Sequence, residues 1–383
     1  MLFREIVGQK ETKAGLLQSF NSSRIAHALL FSGPEGSGSL ALAIAYAQYL
    51  LCQNKGTDDA CGTCSSCLMA QKLGHPDLHL AFPITLNKES QNADDQVIGF
   101  RELFLADPYV SYSGWMSSLD GENKQGIIGV KESENILKKL SLTSYAGGFK
   151  IMIVWLPEKM NAQAANKLLK IIEEPPDKTV FLLVTENEDR LLPTIVSRTQ
   201  LVRIRRLTDD EIFESLIRNK QLSESAAKSI SWMAEGNYRL ALDLAGKDGN
   251  AEESDFDRFR NWMRLCYKGD IIPIQSWVNS SAELSREALK GFILHSLQMV
   301  RESLLLNYGD AALVRLSGEE LEFLKKFSVY IHKGNCRRMI QDLEDAGSAI
   351  DWNANIRILL TDLSLRLRNH LRVPNAEVKA QLA

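Results

Sequence analysis

His27-Ala28-Leu29-Leu30-Phe31-Ser32-Gly33-Pro34-Glu35-Gly36-Ser37-Gly38-Ser39-Leu40 decides the fold. Its first residues form a short β-rich run, its middle is a Gly-rich turn, and an apolar helical stretch follows from about Ser39 to Cys52. A strand that passes through such a turn into a helix is the setting of a phosphate-binding loop, where backbone N–H groups and the helix N-terminus cradle phosphate oxygens. The complete pattern ends Gly-Lys-Ser/Thr, the lysine neutralising the outer phosphates and the hydroxyl holding magnesium. Ser39 and Leu40 occupy those two positions here. Gly33, Gly36, Gly38 and Ser39 are therefore candidate nucleotide contacts in a loop that keeps its shape and loses its chemistry. A plain Gly-rich turn with no nucleotide role fits the same residues.

Outward from this loop, Lys150-Ile151-Met152-Ile153-Val154-Trp155 reads as a buried strand. A hydrolysing P-loop enzyme needs an Asp at the end of such a strand, with a second acid beside it. Trp155, Leu156 and Pro157 stand there instead, and Glu158, the nearest carboxylate, lies past the strand and beyond a proline. Two independent breaks argue against ATP hydrolysis by this chain. Asn161 can cap a helix over Ala162–Ile172, which Pro175-Pro176 terminates, and Thr179–Val184 is a third strand. Strands alternating with helices over residues 1–205 predict an α/β domain built on a parallel sheet.

After Arg206 the pattern is all helical. Thr208 and Glu211 form a capping box, and breaks at Gly236 and Gly246 delimit a small helical segment, residues 206–250. The polar stretch Lys247–Ser254 reads as a linker. Residues 251–383 form an all-α C-terminal domain, with amphipathic helices such as Ser285–Leu305 and Gly318–Ile331 and a tail expected to fray after Pro374. The stretch 86–126 begins polar, then carries Phe100, Phe104, Tyr109, Tyr112 and Trp115. Apolar residues at helical spacing usually face inward, so it is expected to form local core rather than a partner surface.

A chain of 383 residues with 45% hydrophobic and 24% charged residues is expected to be soluble and to hold two or three domains. A net charge of −3 gives no global attraction to phosphate, so any nucleic-acid contact is local or shared with other subunits. Met1-Leu2-Phe3-Arg4-Glu5 lacks the basic-then-apolar pattern of a signal peptide, and the apolar run Leu40–Cys52 is too short to span a bilayer. A cytoplasmic location is expected, where thiols stay reduced.

Four of the six cysteines, Cys52, Cys61, Cys64 and Cys67, fall within one short stretch. Two-residue gaps let neighbouring sulfurs turn toward one ion, and four thiolates with no open position suit a structural, tetrahedral zinc. Iron–sulfur ligation and metal-free thiols are the alternatives, although the fourth cysteine lies upstream rather than downstream of the close-spaced three. His75 and His79 are read as strand-entry residues rather than ligands, and Cys266 and Cys336 as ordinary buried cysteines.

Together these pieces resemble the bacterial clamp-loader family of AAA+ proteins. The resemblance rests on Ile6-Val7-Gly8-Gln9, on Ile25-Ala26-His27 through Pro34, and on the four-cysteine insertion after the loop helix. It continues through His75-Pro76-Asp77, Ala164–Lys170 with Glu173-Glu174-Pro175-Pro176, and Ser197-Arg198-Thr199. It covers roughly residues 1–250 by motif, and the rest by helical character. It implies an AAA+ core over 1–205 with a zinc module at 52–67 and an extra segment at 86–126. A helical lid over 206–250 and a collar domain over 251–383, which joins subunits into a hetero-oligomeric ring, would follow.

The resemblance also implies a job, loading a sliding clamp onto primed DNA beside gamma/tau-type motor subunits and a delta-type subunit. Arg198, supported by Ser197, would reach across the subunit boundary to a neighbour's γ-phosphate; a locally paired surface arginine is the alternative. Thr199 stands where the family has cysteine. Arg239 lies where the family's lid arginine would, and Arg203, Arg205 and Arg206 read as a solvated hinge face rather than a DNA patch. Two other functions compete: a motor subunit with degenerate motifs, and a zinc-dependent nucleic-acid binder.

Overall fold

The computed structural model describes residues 1–87, 90–119, 126–246, 255–284, 286–309, 316, 318–351 and 354–374. The expected linker at 247–254, parts of the 86–126 stretch and the tail after 374 thus lie outside the described residues. The chain divides into two compact units: Met1–Lys220 with Ala234–Ala241, and Gln221–Met233 with Leu242–Ala383.

The first unit runs α1 (Lys10–Asn21), β1 (Ala28–Ser32), α2 (Ser39–Leu51), α3 (Ser65–Gln71), β2 (Leu78–Ala81), α4 (Val97–Ala106), α5 (Tyr112–Ser118) and α6 (Val130–Ser141). It continues with β3 (Lys150–Trp155), α7 (Ala162–Glu173), β4 (Thr179–Thr185), α8 (Pro193–Val196), β5 (Gln200–Arg203) and α9 (Asp209–Lys220). The five strands form one sheet in the order β2-β3-β4-β1-β5, and every pairing is parallel.

Parallel sheets covered on both faces select nearly continuous apolar strands, and every residue of β3 and β4 is buried. Successive side chains still alternate between faces. Leu29, Phe31, Ile151, Ile153, Trp155, Val180, Leu182 and Val184 join the core that contains α2, whereas Leu30, Met152, Val154, Phe181 and Leu183 join the one containing Leu168 and Ile172 of α7. Asn161 caps α7 as expected, its Oδ1 accepting from Ala164 N–H at 2.8 Å. β5 is short, exposed at both ends and without an apolar run, so only its pairing with β1 identifies it.

The aromatic residues of the 86–126 stretch do build local core. Phe82 and Phe100 stack at 4.1 Å, Trp115 meets each of them edge-on at 5.3 Å, and its indole Nε1–H donates to Pro83 O at 2.7 Å. This cluster extends the core on the α2 face.

The second unit contains α10 (Glu224–Met233), and α11 (Tyr238–Ala245) begins in the first unit and ends in the second. Then come α12 (Asp255–Lys268), α13 (Ile271–Ser281), α14 (Arg286–Tyr308), α15 (Gly318–Phe327), α16 (Cys336–Asp351) and α17 (Ile356–Leu371). The helix expected over 318–331 ends at Phe327 and passes into a 3-10 turn, Ser328–Tyr330. Trp262 stacks on Trp277 at 4.8 Å and donates to Ser364 Oγ at 2.8 Å in the middle of this helical core. Cys266 and Cys336 are buried in it. Among the described residues, no helix is long and apolar enough to cross a membrane.

Candidate functional site

The Gly-rich loop connects β1 to α2, and Gly36 (φ +73°) and Gly38 (φ +85°) adopt left-handed conformations that glycine tolerates without strain. Gly38 caps the N-terminus of α2, and Gly33 N–H is tied to Thr185 O at 3.2 Å. Ser37 and Ser39, both buried, share a hydroxyl hydrogen bond at 2.9 Å. From the N-terminal segment, Gln9 donates to Ser37 O at 3.2 Å and to Arg205 O at 2.7 Å, joining the loop to the end of β5. Gly33, Gly36, Gly38 and Ser39 are thus brought into one strand-to-helix turn, with Ser39 and Leu40 directly after its last glycine.

At the end of β3, Leu156 turns left-handed (φ +57°) and a 3-10 turn, Pro157–Lys159, follows. The Glu158 carboxylate accepts from Thr185 Oγ at 2.9 Å and from Glu186 N–H at 3.1 Å, so it is bound to the end of β4. Burial, then the nearby Glu35 and Glu158, push the Glu186 carboxyl up to about 8. Glu35, Glu158 and Glu186 thus gather beyond the C-terminal ends of β1, β3 and β4.

The four cysteine sulfurs all lie within 4.8 Å of one another. Neighbouring pairs stand at 3.6 Å (Cys52–Cys61), 3.8 Å (Cys61–Cys67) and 4.0 Å (Cys52–Cys64). Sulfurs ~2.3 Å from a tetrahedral ion would be separated by ~3.8 Å, so the set fits a metal ion. Backbone N–H groups point at the sulfurs: Cys61 N–H to Cys52 Sγ at 3.3 Å, Cys64 N–H to Cys61 Sγ at 3.3 Å, and Cys67 N–H to Cys64 Sγ at 3.4 Å. Such bonds orient ligands and favour thiolate. His75 stays outside the set: its Nδ1 accepts from Asp77 N–H at 3.0 Å and its Nε2 meets Ser66 Oγ at 3.3 Å. Asp77 in turn accepts from Tyr145 N–H at 2.7 Å and Ala146 N–H at 3.0 Å, which makes His75-Pro76-Asp77 a brace for the entry to β3.

Arg198 follows α8 and is half-buried. Its Nε donates to Glu173 Oε2 at 2.7 Å and its guanidinium to Thr194 O at 3.0 Å. Ser197 is exposed beside it, with its hydroxyl on Thr194 O at 3.3 Å. The pair with Glu173 brings the two motifs Ser197-Arg198-Thr199 and Glu173-Glu174-Pro175-Pro176 together. Arg205 forms a two-pronged pair with Glu211 at 2.8 and 2.6 Å, and Arg206 donates to Glu235 O at 2.9 Å. Arg205 and Arg206 are thus paired within the fold, and Arg203 is exposed. Arg239 pairs with Asp107. The pattern of residues did not reveal this partner, because Asp107 lies in the extra segment, 132 positions away in sequence.

A Gly-rich loop between β1 and α2, and a parallel sheet in the order β2-β3-β4-β1-β5 followed by an all-α region, define an AAA+ domain with a helical C-terminal domain. Residues 8–208, more than half of the 383, match the family model described as DNA polymerase III, delta subunit, and the chain belongs to that family. Its curated relatives place it with the delta-prime subunits. It is 26% identical to DNA polymerase III subunit delta' of Escherichia coli (strain K12) over 362 residues, 93% of each chain. The subunit delta' of Bacillus subtilis (strain 168) is 31% identical over 237 residues, 62% of this chain and 59% of that one. DNA polymerase III subunit gamma of Buchnera aphidicola is 27% identical over 247 residues, 63% of this chain and 57% of that one.

Proposed function

We propose that this chain is a non-hydrolysing subunit of the loader that places the sliding clamp of a replicative DNA polymerase on primed DNA. One combination carries the reading: a delta' relative aligned over 93% of both chains, and a Gly-rich loop that ends in Ser39 and Leu40. Without an ammonium at 39 or a free carboxylate at the end of β3, the loop cannot neutralise a triphosphate or hold its magnesium. Arg198 we assign to a neighbouring motor subunit's γ-phosphate, in trans, with Ser197 shaping the turn that presents it. Glu173 holds the guanidinium until a stronger anion competes. Cys52, Cys61, Cys64 and Cys67 would hold one structural zinc, which supplies folding energy rather than chemistry. Residues 206–250 serve as the lid and 251–383 as the collar domain that meets gamma/tau-type and delta-type partners.

The test is reconstitution. The purified chain is mixed with the gamma/tau-type and delta-type subunits of its own cell, and assembly, phosphate release and clamp loading are measured. The chain alone should release no phosphate, and leaving it out should abolish efficient loading. Steady hydrolysis by the chain alone would favour a degenerate motor. Salt-sensitive binding of primed DNA without assembly would favour an independent nucleic-acid binder.

A further inference from the structure

The space over the phosphate loop is filled by the protein itself. Tyr109, in the link between α4 and α5, is buried with its ring against the loop: a Cβ placed on Gly38 would lie 2.9 Å from Tyr109 Cε1. Its hydroxyl accepts a hydrogen bond from Val7 N–H at 2.9 Å, and its ring meets Tyr238 edge-on at 4.7 Å. Tyr238 is anchored in turn, its hydroxyl 2.6 Å from Ser215 Oγ and its N–H donating to Gly36 O at 3.1 Å. Asn237 packs so tightly on Gly36 that a Cβ there would overlap its side-chain oxygen. Asp107 locks the arrangement, accepting from Tyr109 N–H at 3.0 Å and pairing with Arg239.

We propose that Tyr109 is a built-in occupant of the nucleotide cleft, supplied by the extra segment. It brings a flat ring and one acceptor, the features by which a heterocyclic base would engage the Tyr238 ring and the Val7 N–H. The loop therefore keeps its left-handed glycines and its contacts to 234–241 with no ligand, and the cleft is closed to nucleotides. Loss of the lysine weakens phosphate binding and does not by itself demand such closure. The consequence is independent of the role proposed for Arg198.

Three measurements on the full chain test this. Titration of the wild type with ADP and with adenosine to millimolar concentration should give no saturable heat and no rise in Tm. Tyr109→Ala should have a lower Tm than wild type, and millimolar p-cresol or adenosine should restore several degrees, as expected of a ring-shaped vacancy. Tyr109→Phe, which keeps the ring and removes the acceptor, should speed hydrogen exchange at the Val7 amide by at least about tenfold while leaving the loop's other amides protected. Saturable ADP binding by the wild type overturns the proposal. So does a folded Tyr109→Ala that responds to neither ligand. Should Tyr109→Ala fail to fold, an unchanged Val7 amide in Tyr109→Phe is equally decisive against it.

Discussion

Arg198 Nε lies 2.7 Å from Glu173 Oε2, with the two side chains 32% and 55% exposed. A pair this wet contributes only about 0.2–1 kcal/mol to stability, so it positions the guanidinium without trapping it.

Arg198→Ala should therefore change unfolding free energy by no more than about 1 kcal/mol, the upper end for so exposed a pair. An arginine placed against a transferring phosphoryl group is worth roughly 10³–10⁵ in rate, so the same change should cut phosphate release at the one site it faces in the reconstituted loader. Arg198→Lys should rescue poorly, because an ammonium lacks the planar fork. Normal assembly with wild-type ATPase and loading rates would reduce Arg198 to a surface residue.

The sulfurs of Cys52, Cys61, Cys64 and Cys67 converge closely enough for one ion. Elemental analysis should find one zinc per chain and negligible iron, in a colourless protein. Cys64→Ser should release the metal and loosen 52–67, while circular dichroism still reports a folded sheet and helices. Stoichiometric iron with visible absorption would refute the zinc assignment.

Ser39→Lys should fail to create an ATPase. The substitution returns one charge, yet Leu40 offers no hydroxyl and Glu158 is already bound to Thr185 and Glu186. Phosphate release from purified Ser39→Lys should stay at the background of the wild type; a turnover that co-purifies with the variant contradicts this account of the site.

Trp115 is fully buried between Phe82 and Phe100 and donates to Pro83 O. Trp115→Ala leaves a cavity and an orphaned carbonyl, and should cost about 3–5 kcal/mol in urea unfolding of the first unit. A loss below about 1 kcal/mol would mean that the extra segment is an appendage rather than core.

Glu132 is buried, accepts from Ala93 N–H at 2.6 Å, and burial raises its carboxyl from 4.5 to about 7. Below about pH 4.5 the group is neutral in both folded and unfolded chains and costs nothing. As pH rises from there the unfolded chain ionises first, so stability falls until about pH 7, by roughly 3 kcal/mol at most, and is then level. Glu132→Gln should remove that slope from a stability profile measured between pH 5 and 8. An unchanged profile would show that the carboxyl is solvated.

The strand-loop-helix of residues 27–51, the strands at 150–155 and 179–185, and the cap at Asn161 were legible because each is specified locally. Apolar runs of strand length, positive-φ glycines and an N-cap depend on neighbours a few positions away. The cysteine set was legible for the same reason, since its gaps fix which sulfurs can meet. β5 was not, because a four-residue edge strand with exposed ends carries no periodic signal and exists only through its register with β1. Nor could the pattern reveal where Tyr109, Asp107 and Glu173 point. Their partners Val7, Arg239 and Arg198 lie 102, 132 and 25 positions away, and a pairing of that span is decided only when the sheet closes. That Ser39 stands where a lysine could is read from the sequence alone. That Tyr109 packs against Gly38 is a fact of tertiary packing, which only the folded chain contains.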